Sequence, residues 1–322
     1  MRKDGRDADA PSRAPSGQGA QRICPKCAAP SPIGQGEALW PAGWGCAACG
    51  FLPARRGPFV LLAPELDEVD EGMDLDGFDL LAAAEDGHFW FVSRNELIAW
   101  LVERHAVEAR RVLEIGCGTG FVIHALRRAL PAAMISASEL HSRGLETALK
   151  RHGSSVELIQ MDARHSGLSN ALDLVGAFDV LEHIPQDEAV LSGIAEMLRP
   201  GGKLIATVPQ HPWMWSAADD VAHHQRRYKP GELSRKAERA GFKTIYTSSF
   251  VTLAFPLMMA SRLVERMRPE RRSLQEIMEA EFRISPVVNG VLLGLCRLEH
   301  GLRKAGVPLP FGGSQVLVAE RI

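Results

Sequence analysis

Long hydrophobic runs and a dominant charge are the two features that this sequence lacks. No apolar run reaches the ~18–20 residues that a membrane-spanning helix requires, so nothing predicts a transmembrane segment. The 37 Lys and Arg residues nearly balance 39 Asp and Glu, giving a formal net charge of −2 at pH 7. This balance argues against binding nucleic acid by bulk charge, although it leaves room for a local basic patch. With 46% hydrophobic and 24% charged residues, the composition is typical of a soluble globular protein, and we expect a cytoplasmic enzyme.

Two stretches near the amino-terminal end lack the pattern of a folded core. Residues 1–20 are polar and rich in Arg, Asp, Pro, Ser and Gly, which predicts a disordered tail without a secretion signal. The second stretch is residues 65–87. Its first part, from 65 to 79, holds eight Asp or Glu and no Lys or Arg. Such a run is typical of a solvated linker, and it would repel a phosphate backbone.

Cysteine is also scarce, with six in 322 residues, but four of the six follow a pattern. Two Cys-x-x-Cys pairs are separated by 18 residues, and four thiolates at this spacing can close a tetrahedral zinc site. A cytosolic setting disfavours disulfides, and a redox function would need only one pair. The sequence therefore predicts a structural zinc ribbon over residues 21–64, whose folding energy metal binding would supply. The predicted ligands are Cys24, Cys27, Cys46 and Cys49.

The role of this predicted ribbon stays open between two interpretations. It could bind a nucleic acid or a protein partner, since Arg22, Lys26, Arg55 and Arg56 make it locally basic. It could instead be a structural cap over the edge of a catalytic domain, because four basic residues are few for phosphate-driven affinity.

The most informative motif is the glycine-rich run at residues 112–120. Residues 112–115 predict a short buried strand, and three glycines at alternate positions, Gly116, Gly118 and Gly120, then open a helix at 121–129. The spacing is not that of a dinucleotide fold, and the acidic Glu114 would repel a pyrophosphate but suit a cationic ligand. The run resembles motif I of the Rossmann-like (class I) methyltransferases that use S-adenosylmethionine (SAM).

The segments downstream continue the strand–helix alternation of that family. A second apolar strand ends at Glu139, where a carboxylate could bind the ribose hydroxyls of an adenosine. A third strand precedes Asp162, which in the resembling family faces the adenine amino group. A fourth, at 172–178, leads into 179–183, which looks like the family loop that lines the SAM methionine and the substrate. Residues 198–209 resemble the helix–turn–strand signature of strand 5. The cofactor-binding residues that the resemblance implies are Glu114, Gly116, Cys117, Gly118, Gly120, Glu139, Leu140, Asp162, Ala163, Asp179 and Leu181.

Substrate contacts are expected in two places. A helix starting near residue 88 carries three aromatic residues and Arg94, and in resembling methyltransferases a helix here covers the SAM site as a lid. The loop at 209–230 follows strand 5, where substrates bind in this architecture. The candidate substrate-binding residues are Arg94, His211, Trp213, Arg226, Arg227 and Tyr228, and the candidate catalytic histidines are His183, His223 and His224.

Both sets have alternative interpretations. The aromatic residues could simply pack, and the arginines could pair with Asp219, Asp220 or Glu232. A histidine near the acceptor could take its proton, but many methyltransferases work by proximity alone.

The carboxyl-terminal third predicts an insertion into the sheet. Strand 6 at 243–250 and strand 7 at 315–319 normally pair as a hairpin, so residues 251–312 form an inserted segment with two short apolar runs. These runs could cap a greasy substrate, touch a membrane surface, or pack against the core or in a dimer interface. The predicted architecture is an α/β fold. It has a seven-stranded Rossmann-like methyltransferase domain at 88–322 with a helical insertion, preceded by the small zinc ribbon.

The predicted function is methyl transfer from SAM to an O or C atom of a small or lipid-like metabolite. The sequence after strand 4 lacks the Asn/Asp-Pro-Pro-aromatic box of amino-group methylation. A ribosomal-RNA base methyltransferase that recognises RNA with the ribbon is one alternative, and a sugar-nucleotide C-methyltransferase another. A third is a SAM-binding module without catalysis that recruits a partner. Peripheral membrane contact is compatible with the insertion, and the sequence defines no oligomeric state.

Overall fold

The computed structural model describes residues 19–67, 77–266 and 284–322. The predicted tail therefore lies almost wholly outside the described residues, as do parts of the predicted linker and insertion. The strands are β1 (Gln21–Ile23), β2 (Pro30–Pro32), β3 (Ala54–Arg56), β4 (Phe59–Leu61), β5 (Arg111–Ile115), β6 (Met134–Glu139), β7 (Glu157–Gln160), β8 (Leu168–Ser169), β9 (Leu172–Phe178), β10 (Leu198–Pro209), β11 (Phe242–Phe250) and β12 (Ser314–Arg321). The α-helices are α1 (Gly77–Ala84), α2 (Phe89–His105), α3 (Ile123–Ala129), α4 (Ser142–His152), α5 (Asp187–Met197), α6 (Ala217–Val221), α7 (Glu232–Arg239), α8 (Phe255–Arg266) and α9 (Pro286–Lys304).

A nine-stranded sheet in the order β11-β12-β10-β9-β5-β6-β7-β4-β3 forms the centre of the protein. The strands from β10 to β4 run parallel, whereas β12 is antiparallel to both of its neighbours. The central strands are almost entirely buried because helices cover both faces, which explains their continuous apolar sequence. The predicted seven strands and the terminal hairpin are confirmed, and the carboxyl ends of the parallel strands meet at one edge.

The two additional strands come from the predicted zinc ribbon. Residues 54–61 form β3 and β4, and β4 pairs in parallel with β7 through Val60 and Leu61. Phe59, Val60 and Leu61 are buried. Without them β7 would be an exposed sheet edge with unpaired backbone groups. The cysteine spacing, which defined the predicted ribbon, carries no signal for this long-range pairing.

The cysteine-bearing part of the chain is also seated on the large domain. Strand β1 pairs with β2 and with β8, so the small three-stranded sheet crosses the predicted domain boundary. The Glu157 carboxylate accepts hydrogen bonds from the backbone N–H groups of Leu39 (2.9 Å) and Trp40 (2.6 Å). Trp40 is buried against the central sheet. These contacts favour the structural-cap interpretation of the ribbon.

The expectation of a solvated linker at 65–87 is wrong for the described part of that stretch. Asp67 is buried, and its carboxylate accepts hydrogen bonds from the backbone N–H (2.6 Å) and the hydroxyl (2.9 Å) of Ser142 at the start of α4. Glu85, just after α1, is buried and accepts a hydrogen bond from the Thr119 hydroxyl while pairing with Arg151 at 2.6 Å. Asp67 thus bonds the first turn of a helix, and Glu85 bonds two neighbouring side chains. A count of charges in the sequence does not reveal such pairing.

The insertion contributes two helices, α8 and α9. Helix α9 packs on α2, where Asn289 accepts from the backbone N–H of Phe89 (2.8 Å) and Arg297 pairs with Glu96 (2.7 Å). Glu299 and Arg303 form a buried ion pair at 2.8 Å. Among the described residues no helix has the length and apolar character to cross a membrane. Of the alternatives from the sequence, packing against the core fits α9.

The contact between the ribbon and the large domain can be tested at Glu157. Replacing Glu157 with Ala leaves two largely buried N–H groups without partners, so we expect the free energy of unfolding to fall by roughly 2 kcal/mol. Urea denaturation followed by circular dichroism measures this. The matched control is Glu146→Ala, because Glu146 is exposed and makes only a 3.6 Å surface ion pair; it should change stability by less than about 0.5 kcal/mol. Equal effects of the two substitutions would contradict the role of Glu157 in holding the ribbon to the large domain.

Candidate active site

A cleft lies at the carboxyl edge of the parallel strands, where the glycine turn after β5 meets the loops after β6, β7 and β9. Gly116 has a φ of 64°, and an added Cβ would come within 2.4 Å of the Val180 side chain. Gly120 has a φ of 77°, and its Cβ would meet Ala148 of α4 at 2.8 Å. The turn therefore needs glycine both for its backbone conformation and for close packing. This bare backbone is what allows a ligand to approach closely.

Glu114 lies beneath this turn and is 2% exposed. Its carboxylate atom Oε2 is buried without a hydrogen-bond partner among the described residues. Burial raises the pKa of the Glu114 carboxyl to about 8. At neutral pH the carboxyl is therefore largely protonated, and a cation that arrives with a ligand would lower its pKa and favour the ionised form.

Two acids after the next strands line the cleft. The Glu139 carboxylate accepts from the backbone N–H groups of Gly118 (2.9 Å) and Leu140 (2.7 Å), which fixes its position beside the glycine turn. Asp162 accepts from the backbone and side chain of Arg164, each at 2.9 Å. Burial opposes ionisation of Asp162, but the Arg164 hydrogen bonds outweigh it and hold the pKa of the carboxyl below its usual value. Both acids are therefore positioned as hydrogen-bond acceptors at the edge of the cleft.

The cleft brings together most of the predicted cofactor residues, but not all. The predicted residues that line it are Gly116, Gly118, Glu139, Leu140, Asp162, Ala163, Asp179 and His183. The remaining four lie behind the lining and are buried: Glu114, Cys117, Gly120 and Leu181. These four residues therefore influence the shape and the charge of the cleft from behind the residues that line it.

Sequence reasoning missed several residues of the cleft. Phe78 of α1 forms part of one wall, although the sequence placed it in a solvated linker. His141 also lines the cleft, and its ring bonds the Asp67 carbonyl at 3.1 Å. Apolar residues 78, 80 and 81 within the acidic run were the available signal for a buried helix. The other missed lining residues are Ile115, Met161, Arg164 and Pro185, whereas Val180 and Ile184 belong to the segment after β9 that the resemblance implied.

Arg94, expected to bind substrate, pairs instead with a residue of the protein. Its guanidinium contacts the Asp179 carboxylate at 2.6 Å and lies 4.4 Å from the centre of the Trp90 ring. Thr207 donates a second hydrogen bond to Asp179 at 3.0 Å. Helix α2 is thereby fixed to the loop after β9, and Asp179 has the left-handed φ of 57°. Asp179 thus lines the cleft with its carboxylate already engaged.

The three candidate histidines fall into different environments. His223 is exposed, and no histidine or acid contact is described for it. His224 donates from Nδ1 to the Asp219 carboxylate at 2.8 Å, and its ring lies 4.7 Å from the ring of His183. Burial lowers the pKa of His183 to about 3. Burial opposes ionisation of Asp219, but hydrogen bonds from His224 and Arg227 keep its pKa well below its usual value. An ionised Asp219 fixes the His224 tautomer and leaves Nε2 as a proton acceptor.

Three other predicted substrate residues are engaged inside the protein. Arg226 pairs with Asp187 at 2.8 Å, and Arg227 pairs with Asp219 at 2.7 Å. Tyr228 is fully buried and donates to Asp187 at 2.6 Å. Arg227 therefore pairs as in the alternative that the sequence left open, whereas the partner of Arg226 is an acid that the sequence analysis did not name. These residues hold the loop after β10 in place, whereas His211 and Trp213 line a separate cavity.

A second set of side chains could hold a metal ion. Ligand atoms of Glu182, His183 and His224 all lie within 4.8 Å of one another. Glu182 is fully buried, and both of its carboxylate oxygens lack partners among the described residues. Burial, together with the nearby Asp179 carboxylate, raises the pKa of Glu182 well above its usual value. The donor set of one carboxylate and two imidazoles suits a divalent cation.

The four predicted zinc ligands do come together. The sulfur atoms of Cys24 and Cys49 lie 3.7 Å apart, and those of Cys27 and Cys46 lie 3.6 Å apart. A tetrahedral site with Zn–S bonds of about 2.3 Å places sulfurs roughly 3.8 Å from one another. All four sulfurs lie within 4.8 Å of one another, and none forms a disulfide. The cluster therefore fits a zinc ion in both donor type and spacing.

Comparison with known proteins agrees with this cleft. A sequence-family model described as "Methyltransferase domain" matches residues 112–202, which include the glycine turn, Glu139 and Asp162. Two curated relatives are named ubiquinone biosynthesis O-methyltransferase. The protein from Thiobacillus denitrificans is 25% identical over 199 residues, covering 53% of this chain and 85% of that protein. The protein from Marinobacter nauticus is 27% identical over 167 residues, covering 45% and 68%.

A solved structure shows the same fold. It is a candidate sarcosine dimethylglycine methyltransferase from Galdieria sulphuraria, with a TM-score of 0.52 and 15% identity over 77% of this chain and 98% of that chain. The sheet order, the glycine turn and the acids after β6 and β7 define a class I, Rossmann-like fold for SAM-dependent methyl transfer. The chain is accordingly a SAM-dependent methyltransferase that carries a four-cysteine cluster at its amino-terminal side.

The cleft fits SAM in its charge. Glu114 places an unpartnered buried acid behind the glycine turn, where it could balance a cationic ligand. Glu139 and Asp162 line the cleft, and the family resemblance implies that they would bond the ribose and the adenine of the cofactor. When bound, SAM supplies an electrophilic methyl group on a sulfonium.

Glu114 generates a pH-dependent prediction. Its pKa rises from an ordinary 4.5 to about 8 on folding, so the folded state binds a proton that the unfolded state has lost between these values. Wild-type stability should therefore fall across this window and level off above it. We expect Glu114→Gln to be more stable than wild type by a few kcal/mol at pH 8.5 and similar at pH 4.5. Thermal unfolding at the two pH values, with Glu146→Gln as the surface control, measures this.

The same variant should lose cofactor binding. Removing the counter-charge leaves the SAM cation without a partner, so SAM should raise the melting temperature of wild type but not of Glu114→Gln. A variant that bound SAM like wild type would contradict the role assigned to Glu114.

Zinc occupancy can be measured directly. We expect the full-length protein to contain about one zinc per chain by mass spectrometry of the metal, because four thiolates form a closed site. Cys49→Ser should lose the zinc, whereas Cys296→Ala should keep it, since Cys296 is buried in α9 far from the cluster in sequence. Zinc-free protein with a disulfide between two cysteines of the four-cysteine cluster would show that the cluster is not a metal site.

Proposed function

We propose that this protein transfers the methyl group of SAM to a hydroxyl oxygen of a small, lipid-like metabolite. The observation that carries the proposal is the Asp219–His224 pair beside His183. A hydroxyl must lose its proton when it attacks the methyl group, and a histidine held in one tautomer by a carboxylate is suited to accept that proton. The curated relatives named as O-methyltransferases support the same chemistry.

The residues of the chain would act in sequence. The Glu114 and Glu139 carboxylates would hold the cofactor, and α2, fixed through Arg94 and Asp179, would exclude water. When bound, SAM would supply its methyl group to the acceptor oxygen, with the sulfonium sulfur as the leaving group. The acceptor proton passes to His224 Nε2, and the ionised Asp219 stabilises the resulting imidazolium. His183, neutral because of its low pKa, forms the wall of the cleft beside the reacting hydroxyl.

The ribbon is proposed as a structural cap, with zinc as its metal. Arg22 is buried and bonds the carbonyl groups of Leu39, Pro32 and Ala38. Arg56 pairs with Asp67 at 2.8 Å. Basic side chains engaged in this way do not form a phosphate-binding surface, which weighs against an RNA substrate. A cytoplasmic location remains the expectation from composition.

The base can be tested with two histidine variants and one aspartate variant. His224→Ala should lower kcat at least roughly tenfold, the low end for a lost general base. Asp219→Asn should show a comparable loss, because the tautomer of His224 is no longer fixed. His223→Ala is the control and should retain wild-type turnover, since its side chain is exposed. Full activity in His224→Ala across pH 6 to 9 would contradict the proposed base.

The acceptor class can be tested with radiolabelled methyl groups. SAM labelled on its methyl group and the purified enzyme are added to a host extract, which is then split into RNA, protein, organic-soluble and aqueous fractions. We expect label in the organic-soluble fraction, and base-resistant label there is the mark of an ether rather than an ester. Label confined to RNA would overturn the proposal and favour the ribosomal-RNA alternative. The Glu114→Gln variant controls for label that does not depend on this enzyme.

A further inference from the structure

A second cavity lies at the same sheet edge as the cofactor cleft. It has a volume of about 790 Å³ and is formed by the loop after β10, the start of α8 and the turn before β12. This volume is within the range of small-molecule sites. The residues that matter for its chemistry are His211, Trp213, Lys229, Phe255, Met259 and Phe311. All but two of these are aromatic or apolar, so the cavity suits hydrocarbon.

His211 is the unusual member of this lining. It has a left-handed φ of 64°, a conformation that non-glycine residues rarely adopt, and it is 5% exposed. Its ring bonds the backbone of Gly312, while its Nε2 atom is buried without a partner among the described residues. Backbone strain and an unpartnered buried polar atom at one residue point to a ligand contact.

Aromatic rings surround the His211 imidazole. The ring centres of Phe255, Trp213 and Phe311 lie 5.3, 5.5 and 6.4 Å from it. Burial lowers the pKa of His211, so the ring is neutral at physiological pH. Because the bond to the Gly312 carbonyl uses the N–H of the ring, Nε2 is a lone-pair acceptor. A ligand hydroxyl within the aromatic enclosure would satisfy it.

The cavity is connected to the proposed base by a short chain of contacts. Arg227 contacts the Asp219 carboxylate, which orients His224, and also donates to the Gln210 carbonyl at 3.3 Å, immediately before His211. Strand β10, which ends at the cavity, pairs in parallel with β9, which ends at the cleft. Neighbouring strands lie about 4.8 Å apart, so the ends of β9 and β10 place the cleft and the cavity at the same sheet edge.

The entrance of the cavity is exposed and apolar. Trp213, Met259 and Phe311 are 50%, 43% and 61% exposed. Exposed aromatic residues that converge on one cavity indicate a surface that a ligand covers.

We propose that this cavity binds the hydrocarbon chain of the methyl acceptor, with His211 Nε2 accepting a hydrogen bond from a hydroxyl on that molecule. The inference rests on the proposed function for the identity of the molecule, and deepens it by assigning the acceptor an alkyl or alkenyl chain. Binding to the cavity needs neither SAM nor turnover, so it can be tested separately from methyl transfer.

The direct test uses 1-decanol as the probe and tryptophan fluorescence of the full-length protein without SAM. We expect a saturable change in wild type that is largely lost in Trp213→Phe, because Trp213 reports on the cavity. Phe311→Asp places a charge at the entrance and should weaken binding at least tenfold. Val287→Asp is the matched control, since Val287 is 77% exposed on α9 and does not line the cavity. Binding that is equal in Phe311→Asp and wild type, or equally lost in Val287→Asp, would overturn the site.

Two further arms test the hydroxyl and the link to catalysis. Wild type should bind 1-decanol several-fold more tightly than decyl methyl ether, which has no hydroxyl to donate to His211 Nε2. His211→Asn, which tolerates the left-handed backbone, should lose this preference. In the labelled extract, 1-decanol should reduce methyl transfer in proportion to its occupancy of the cavity. Equal binding of alcohol and ether would overturn the role of His211. Saturating decanol without inhibition would show that the cavity is not the acceptor site, whatever the chemistry of methyl transfer.

Discussion

One buried glutamine side chain joins the parts of the protein from which the cofactor cleft is built. Gln160, at the end of β7, is fully buried and donates to the carbonyl groups of Ala63 and Leu140, each at 2.8 Å. Its carbonyl accepts from the backbone N–H of Ala63 at 3.1 Å. Ala63 follows β4 of the amino-terminal segment, whereas Leu140 lines the cleft after β6. The amide therefore satisfies three backbone groups at once and fixes the Leu140 side of the cleft to the residues that follow β4.

The reacting side of the cleft depends on ionised acids that are paired within the protein. The Asp219 carboxylate accepts hydrogen bonds from His224 and Arg227, and the Asp179 carboxylate accepts them from Arg94 and Thr207. Asp179 joins α2 to β10, and Asp219 joins α6 to the residues that follow it, so both acids fix segments beside the loops after β9 and β10. This arrangement explains why arginines that look like substrate clamps in the sequence are engaged by the protein itself. It leaves neutral histidines and apolar surface for the acceptor, as expected of a lipid-like molecule.

The sequence predicted the catalytic domain well because its signals are local. Strands β5, β6 and β7, which lead to Gly116, Glu139 and Asp162, are largely buried, so the sequence predicted nearly their observed lengths. The four-cysteine cluster was predictable for the same reason, since each Cys-x-x-Cys pair is set by one turn. The wrong expectation for residues 77–87 arose because net acidity is a property of composition, whereas the burial of Glu85 depends on Arg151, far along the chain.

The sequence by itself determined the glycine turn, the alternation of strands and helices, the acids at the ends of the strands and the metal-binding spacing of the cysteines. Each follows from backbone sterics or from the chemistry of a few neighbouring residues. Only the tertiary structure decided that β4 extends the sheet, that His224 rather than His223 is paired with an acid, and that His211 closes an aromatic cavity. These depend on contacts between residues distant in sequence, or on which way a loop side chain turns, and the packing of the whole chain sets both.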